Sequence, residues 1–310
     1  MPGKEQEILA GKRPFLEIRS RVLQLIREFF ETEGFLEVQT PVLIRAPAPE
    51  THIRAVAAED GYFLSTSPEL FMKRLLAAGY DRIFQVGPAF RAGERGRLHH
   101  PEFTILEWYR LNADYKDLQD DCQRMVRMVC GGLPAAKGPS RAGRGLDAGA
   151  PWGRYTVRGA FSQFAGWDPG PHPIQDRFDI DMVERVEPNL GFPSPCFLED
   201  YPAGQAALAR LKPGDHDVAE RFELYWAGIE LANGFSELTD PAEQRARFEE
   251  AVRLKYQAEG IRMQMPESFL GSLAFLRPCA GIAFGVDRFV MLLSGADDID
   301  SIVAFPPEMG

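Results

Sequence analysis

Between Ile83 and Arg110 the chain reads IFQVGPAFRAGERGRLHHPEFTILEWYR. Two strand-like arms, Ile83 to Phe90 and Phe103 to Tyr109, enclose a middle that holds Arg91, Gly93, Arg95, Gly96, Arg97, His99 and His100. A hairpin that only packs needs nothing so polar or so rich in glycine, and the composition suits a loop that handles phosphate. On the second arm Phe103, Ile105, Glu107 and Tyr109 share one face through the two-residue period of a strand. A carboxylate therefore stands among aromatic rings. An ionised acid in that setting needs either a positively charged ligand or an internal cation such as Arg97 or Arg110.

Three further groups carry charge in places that ask for a partner. Glu223 and Glu230 lie on either side of a turn expected at Trp226 to Gly228, which puts them roughly opposite each other on a hairpin. Facing carboxylates repel, so either a cation such as Mg²⁺ bridges them or they splay into water. Asn233 and Glu237 flank Gly234, whose missing side chain permits a close ligand approach or a bend. In GIAFGVDRFVMLL the period changes at Gly285, from a buried strand over Gly281 to Phe284 to a helix with Arg288 in its first turn. The helix macrodipole disfavours a cation there, so Arg288 calls for an anion, either a phosphate or a carboxylate such as Asp287. Glu69 has a simpler explanation. It follows Ser67 and Pro68, read as N-cap and first helical position, and acids favour a helix N-terminus.

The elements that must position these groups are legible around them. Ile18, Val22, Leu25, Ile26 and Phe29 form the apolar stripe of a helix from Leu16 to Glu33, with Pro14 before it and Gly34 to end it. FLEVQTP follows as a strand with Leu36, Val38 and Thr40 on one face, closed by Pro41. The next loop contains His52, read as a polar surface or hinge residue. Tyr62 to Leu64 reads as a short strand, Ser67 to Leu76 and Asp117 to Val129 as helices, and Asp240-Pro241-Ala242-Glu243 as the start of a helix reaching Gly260. GGLPAAKGPSRAGRGLDAGAPWG breaks every period and reads as a flexible surface loop or a boundary. The pattern divides into a first core part over 1–130, an insertion over 131–215 with a short helix near Val157 to Ala165, and a second core part over 216–310.

A chain of 310 residues with 45% hydrophobic content can bury a large core. No run of about 18 apolar residues and no leader pattern occurs, so a membrane span is not expected and the cytoplasm is the default location. Cys122, Cys130, Cys196 and Cys279 lack zinc-site spacing and read as reduced core residues. A net charge of -10 disfavours non-specific binding to nucleic acid.

The order helix-strand-proline, arginine hairpin, glycine-rich strand-helix resembles the three motifs of the class II aminoacyl-tRNA synthetases. Within that class TSPELFMKRLL, FR with HHPEFTILEWY, ELANGFSELTD and GIAFGVDR are similar to lysyl-tRNA synthetase over nearly the whole chain. Those enzymes carry an N-terminal OB-fold that reads the anticodon, whereas here the first motif begins at Leu16. The chain thus resembles the stand-alone paralogue that lysylates elongation factor P.

This resemblance implies an α+β fold, an antiparallel sheet flanked by helices without the OB-fold, a homodimer formed through Leu16 to Pro41, and no anticodon recognition of tRNA. It implies ATP and Mg²⁺ as cofactors, lysine or (R)-β-lysine as substrate, and elongation factor P as acceptor. Arg91 would meet the α-phosphate and Arg288 the γ-phosphate, the two catalytic residues. Ala92, Gly93, Glu94, His99, His100, Phe103, Glu230, Leu231 and Gly285 would complete the ATP site, with Phe103 stacking on adenine. Glu223 and Glu230 match the metal ligands. Ser67, Pro68, Glu69, Glu107, Tyr109, Asn233, Glu237 and Ala283 match the substrate site. The chain departs from the family at Gly93, where a glutamate is usual, at His100, where asparagine is usual, and at Ala283, where the lysyl synthetases have glycine. Two other functions fit the same residues: a lysine-activating enzyme that charges tRNA or makes a small amide, and a non-catalytic sensor of amino acid or nucleotide.

Overall fold

The computed structural model describes residues 3–133, 140–141 and 144–309. Helix α1 (Lys4–Thr32) buries Val22, Leu25, Ile26, Phe29 and Phe30 on its apolar stripe and ends at Gly34, whose φ of 76° suits a residue without Cβ. It begins well before Leu16 and contains Pro14, contrary to the expected start. The Lys12 ammonium donates to the carbonyl oxygens of Asp300 and Val303 at 2.7 and 2.8 Å, so contacts to the far end of the chain hold turns that a proline alone would have broken. Strand β1 (Leu36–Glu37) is shorter than the expected run, and β2 (Leu43–Ile44) pairs with β3 (Phe63–Leu64) in a small separate ladder. The loop between β2 and β3 leaves His52 exposed.

Helix α2 (Glu69–Ala77) follows, with Pro68 at its N-cap position and Ser67 Oγ accepting from the Glu69 N–H at 3.0 Å, so Ser67 caps one residue outside the expected place. Strands β4 (Arg82–Phe90) and β5 (Glu102–Leu111) form the expected hairpin. An Asp114–Asp117 capping box starts α3 (Tyr115–Gly131). Of the loop after it, 134–139 and 142–143 lie outside the described residues. The rest is not a free surface loop: β6 (Ser140–Arg141) pairs with β7 (Arg144–Gly145), and Leu146 and Ala148 are buried in the main core.

The segment expected as an insertion supplies β8 (Gly153–Thr156), the short helices α4 (Val157–Ala160) and α5 (Gln175–Asp181), and strands β9 (Cys196–Pro202) and β10 (Leu211–Lys212). The hairpin β11 (Asp215–Trp226) and β12 (Ile229–Ser236) turns at Ala227-Gly228. Asp240 caps α6 (Pro241–Glu259), which ends on a left-handed Gly260, and α7 (Glu267–Ser272), β13 (Cys279–Gly285) and α8 (Val286–Ser294) complete the chain order.

One nine-stranded sheet runs β1-β4-β5-β13-β12-β11-β9-β8, with β10 added on β11. It is antiparallel through its middle but not throughout, because β1 pairs with β4 and β8 with β9 in parallel. The two parallel pairs each need a crossover, which α2 and its loop supply at one edge and α4 with α5 at the other. The fold is α+β. Strand alternation sends Leu106, Trp108, Ile282 and Phe284 into a core shared with α1, α3 and α8, and their neighbours Glu107, Tyr109, Gly281 and Ala283 to the opposite face. Cys122, Cys196 and Cys279 are buried and Cys130 is half-buried, all four as free thiols.

Candidate active site

Register, rather than sequence distance, builds the floor of the main cavity. Glu107 lies opposite Ala283, Ala283 opposite Asn233, and Asn233 opposite Glu223, giving one cross-strand row over β5, β13, β12 and β11. In the next row Tyr109 lies opposite Gly281 and Gly281 opposite Phe235. A Cβ on Gly281 would collide with the Tyr109 ring and with Glu237 Oε1, so this glycine makes room for both. Gly234 has a different task from the expected ligand approach or bend. A Cβ there would press on Phe222 and Ile282, so it permits close packing inside the sheet.

At one end of the cavity Glu107 is 1% exposed. Ser67 Oγ donates to its Oε1 at 2.6 Å and the Tyr109 hydroxyl to its Oε2 at 2.7 Å. Neither internal cation proposed for it is there: Arg110 pairs with Asp121 at 2.9 Å, and Arg97 donates to the Asp297 carbonyl at 3.0 Å. Burial, then the charge of Glu69, pushes the Glu107 pKa up to about 7 against its two hydrogen bonds. Glu69 and Glu237 do have a cation. The fully buried Lys73 donates to Glu69 at 2.5 Å and pairs with Glu237, which leaves Glu237 Oε1 without a hydrogen-bond partner among the described residues. Burial works to lower the Lys73 pKa, but the two carboxylates more than offset it and hold the ammonium charged.

At the other end Arg91 lies over the Phe103 ring, 5.0 Å from its centre, and Glu94 stands 4.0 Å from its guanidinium. Arg91 Nε is buried without a partner among the described residues, a donor available to an anion. Ala92 and Gly93 form the turn behind it, Gly93 at φ 81° and the Ala92 N–H bonded to the Arg54 carbonyl at 2.7 Å. Arg288 rises from the first turn of α8 and donates to the Glu230 carboxylate at 3.2 Å, to the Leu98 carbonyl at 3.3 Å, and to His99 at 2.5 Å. Asp287 is not its partner: it accepts from Arg19 at 2.5 Å and from the Thr104 N–H at 2.9 Å. Desolvation, then Arg288, lowers the His99 pKa, while the buried His100 bonds Asp300 at 2.5 Å. Leu231, Gly285 and His100 all line the cavity, and a Cβ on Gly285 would meet only ordinary contacts at 3.6 Å and beyond.

The two hairpin acids do not face each other as expected. A register shift after Leu224 sets Glu230 opposite Tyr225 and Glu223 opposite Asn233. Their charges still interact, since desolvation and then the Glu230 charge raise the Glu223 pKa. Arg221 and the Tyr225 hydroxyl donate to Glu223 at 2.6 and 2.7 Å. Among the described residues no group of three His, Cys, Asp or Glu has metal-binding spacing. Two mutually repelling carboxylates in a polar cavity nevertheless fit Mg²⁺, which takes one or two protein oxygens and completes its shell with water and phosphate.

Residues outside the sequence pattern also reach this site. Glu187, from the segment read as an insertion, accepts from Tyr225 at 3.2 Å, and burial followed by the charges of Glu230 and Glu223 pushes its pKa up to about 7. Glu50 lines the cavity wall. Only Lys73 left a signal in the sequence, four residues after Glu69 on the same helix face. Glu50 sits in a loop and Glu187 in a short 3-10 helix, where the neighbours are set by tertiary contacts.

A family model for tRNA synthetases class II (D, K and N) matches residues 10–309. The elongation factor P–(R)-beta-lysine ligase of Vibrio parahaemolyticus is 40% identical over 94% of this chain and 95% of its own, and that of Hamiltonella defensa is 36% identical over 94% of each. The lysine–tRNA ligase of Dehalococcoides mccartyi is 36% identical over 96% of this chain, but the match spans only 65% of that protein. The sheet register, the arginine hairpin and the full-length similarity agree: the chain belongs to the class II tRNA synthetases (D, K and N), and within them to the family of the elongation factor P–lysine ligases.

Proposed function

We propose that the chain is an AMP-forming ligase that activates lysine or (R)-β-lysine with ATP and transfers the acyl group to a lysine side chain of elongation factor P. The observation that carries this reading is Glu107, a buried carboxylate with two hydrogen-bond donors and no ion pair among the described residues, at the far end of a cavity whose other end presents Arg91 and Arg288. A cationic side chain placed against Glu107 points its own carboxylate towards Arg91. The names of the full-length relatives support the acceptor.

In the first step a substrate carboxylate oxygen attacks the α-phosphorus of ATP, the bond to the bridging oxygen breaks, and pyrophosphate leaves. Arg91 neutralises charge on the α-phosphate and Arg288 on the γ-phosphate, with both guanidiniums positioned before the substrate arrives. Glu223 and Glu230 would hold Mg²⁺, which supplies further charge neutralisation on the phosphates. In the second step a neutral lysine amine of the acceptor attacks the acyl carbon, AMP leaves, and the nitrogen loses a proton to give an amide. No enzyme nucleophile is needed. Phe103, beneath Arg91, offers the adenine a stacking surface, and His99, Glu94 and Leu231 border the same space.

The test is transfer of labelled lysine isomers to elongation factor P and, in parallel, to lysine tRNA. The expected product is protein-bound label that survives alkali and hydroxylamine. Alkali-labile label on tRNA with none on the protein would replace this reading with the tRNA-charging one.

A further inference from the structure

Glu50 has no role in the account above, although it lies on the cavity wall together with Glu69 and Arg91. The loop that carries it is fixed from outside. The buried Lys255 on α6 donates to the Glu50 carbonyl at 2.9 Å and also to the Ile53 carbonyl, so the backbone is held while the side chain is left to the cavity. That side chain makes no hydrogen bond or ion pair among the described residues. Its charge is repelled by Glu69 and attracted by Arg91, Lys255 and Arg221, without an ion pair to any of them among the described residues. Burial, then the charge of Glu69, pushes its pKa up to about 7.

A count of charges separates the acids into two classes. Glu69 and Glu237 share Lys73, whereas Glu107 and Glu50 form no ion pair among the described residues. Two carboxylates without an ion pair, one on the sheet floor and one on the cavity wall, match a ligand with two ammonium groups better than a ligand with one. The carboxyl group to be activated must lie near Arg91. The ammonium closest to that carboxyl, whose position distinguishes α- from β-lysine, then falls to the wall where Glu50 stands, and the distal ammonium falls to Glu107.

We propose that Glu50 is a substrate-binding residue that receives the ammonium nearest the reacting carboxyl group, and so makes the site selective for diamino acids. This rests on the reading that the cavity takes a lysine isomer together with ATP. Glu69 supports that ammonium less directly, because Lys73 already neutralises it.

The test is Glu50→Gln in the full chain, read by lysine-dependent pyrophosphate exchange for α- and β-lysine and by inhibition with 6-aminohexanoate, which keeps the distal amine and lacks the proximal one. The KM for the preferred lysine isomer should rise about tenfold or more, the usual size of a charge-assisted bond. The inhibition constant of 6-aminohexanoate and the KM for ATP should stay within about twofold, on the same reasoning that neither probe meets this carboxylate. The melting temperature of the ligand-free variant should not fall, since the change removes a repulsion with Glu69. An equal loss for lysine and 6-aminohexanoate, or a lowered melting temperature with all ligands weakened together, overturns the proposal and makes Glu50 structural. Failure of the unaltered protein to respond to any lysine isomer, by exchange or by calorimetric binding, overturns the underlying reading of the site instead.

Discussion

Glu107 and Lys73 show how single residues are tuned by what surrounds them. Glu107→Gln keeps the side-chain shape and one acceptor oxygen but removes the charge, so amino-acid activation should drop by about tenfold to a hundredfold while ATP binding is retained. Equal loss of both in steady-state kinetics would make the residue structural. Its raised pKa also fixes a pH dependence. Because the folded chain holds the Glu107 proton up to about 7, higher than the unfolded chain does, the group contributes its full stability below the ordinary carboxylate range and loses it as pH rises through about 7. Ligand-free Glu107→Gln should therefore match the parent near pH 4 and become the more stable of the two by pH 8 in urea titrations. The opposite trend would mean that the carboxylate has a cation in the ligand-free protein. For Lys73→Met, removal of the one cation between Glu69 and Glu237 leaves buried acids unpaired, at a cost of about 3–5 kcal/mol. Adding Glu237→Gln should restore part of that loss, and a double variant no more stable than the single one would show that Lys73 acts through packing alone.

At the scale of elements, the site depends on where β5, β13 and β12 stand relative to one another. The row Glu107, Ala283, Asn233, Glu223 exists because four strands hold one register, and a slip by one residue would turn each of these side chains to the opposite face. Gly281 protects that arrangement on the neighbouring row. Gly281→Ala puts a methyl into the Tyr109 ring and Glu237 Oε1, so it should remove amino-acid activation while α1, α3 and α8 still pack on the other face. Pyrophosphate exchange beside far-ultraviolet circular dichroism separates the two effects, and a variant with normal exchange would show that Tyr109 can move aside at little cost. The irregularity after Leu224 matters in the same way. It offsets Glu223 from Glu230 so that each acid meets its own arginine, Arg221 or Arg288, and the pair need not face each other across the hairpin.

For the whole molecule, the edge of the sheet at β1 leaves an association surface beside α1. Leu36 is 53% exposed and Leu43 51% exposed, large apolar groups that a twofold contact would cover. The chain is expected to form a dimer in which this region meets its copy, and Leu36→Glu with Leu43→Glu should shift it to monomer in light scattering. A parent protein that scatters only as a monomer at micromolar concentration would remove this surface from the argument. No helix among the described residues is long and apolar enough to cross a membrane. The segment between the two halves of the core is tied to the rest by β8 and β9, which continue the sheet, and Glu187 from that segment reaches the hairpin acids.

The sequence by itself determined the local frame. The apolar stripe of α1, the period-two arms of β4 and β5, the Asp240 cap and the change of period at Gly285 depend on neighbours within a few residues, and each is visible in the linear order. The four motifs that resemble lysyl-tRNA synthetase also brought most of the cavity residues into view. Charge compensation was decided only by tertiary structure, because an ion pair is set by distance in space. Arg110 turned to Asp121, Arg288 to Glu230 and Lys73 to Glu237, while Glu107 was left without an ion pair among the described residues. The same reason hid Glu50, which has no periodic pattern around it and comes to the cavity wall because Lys255, far along the chain, holds its backbone there.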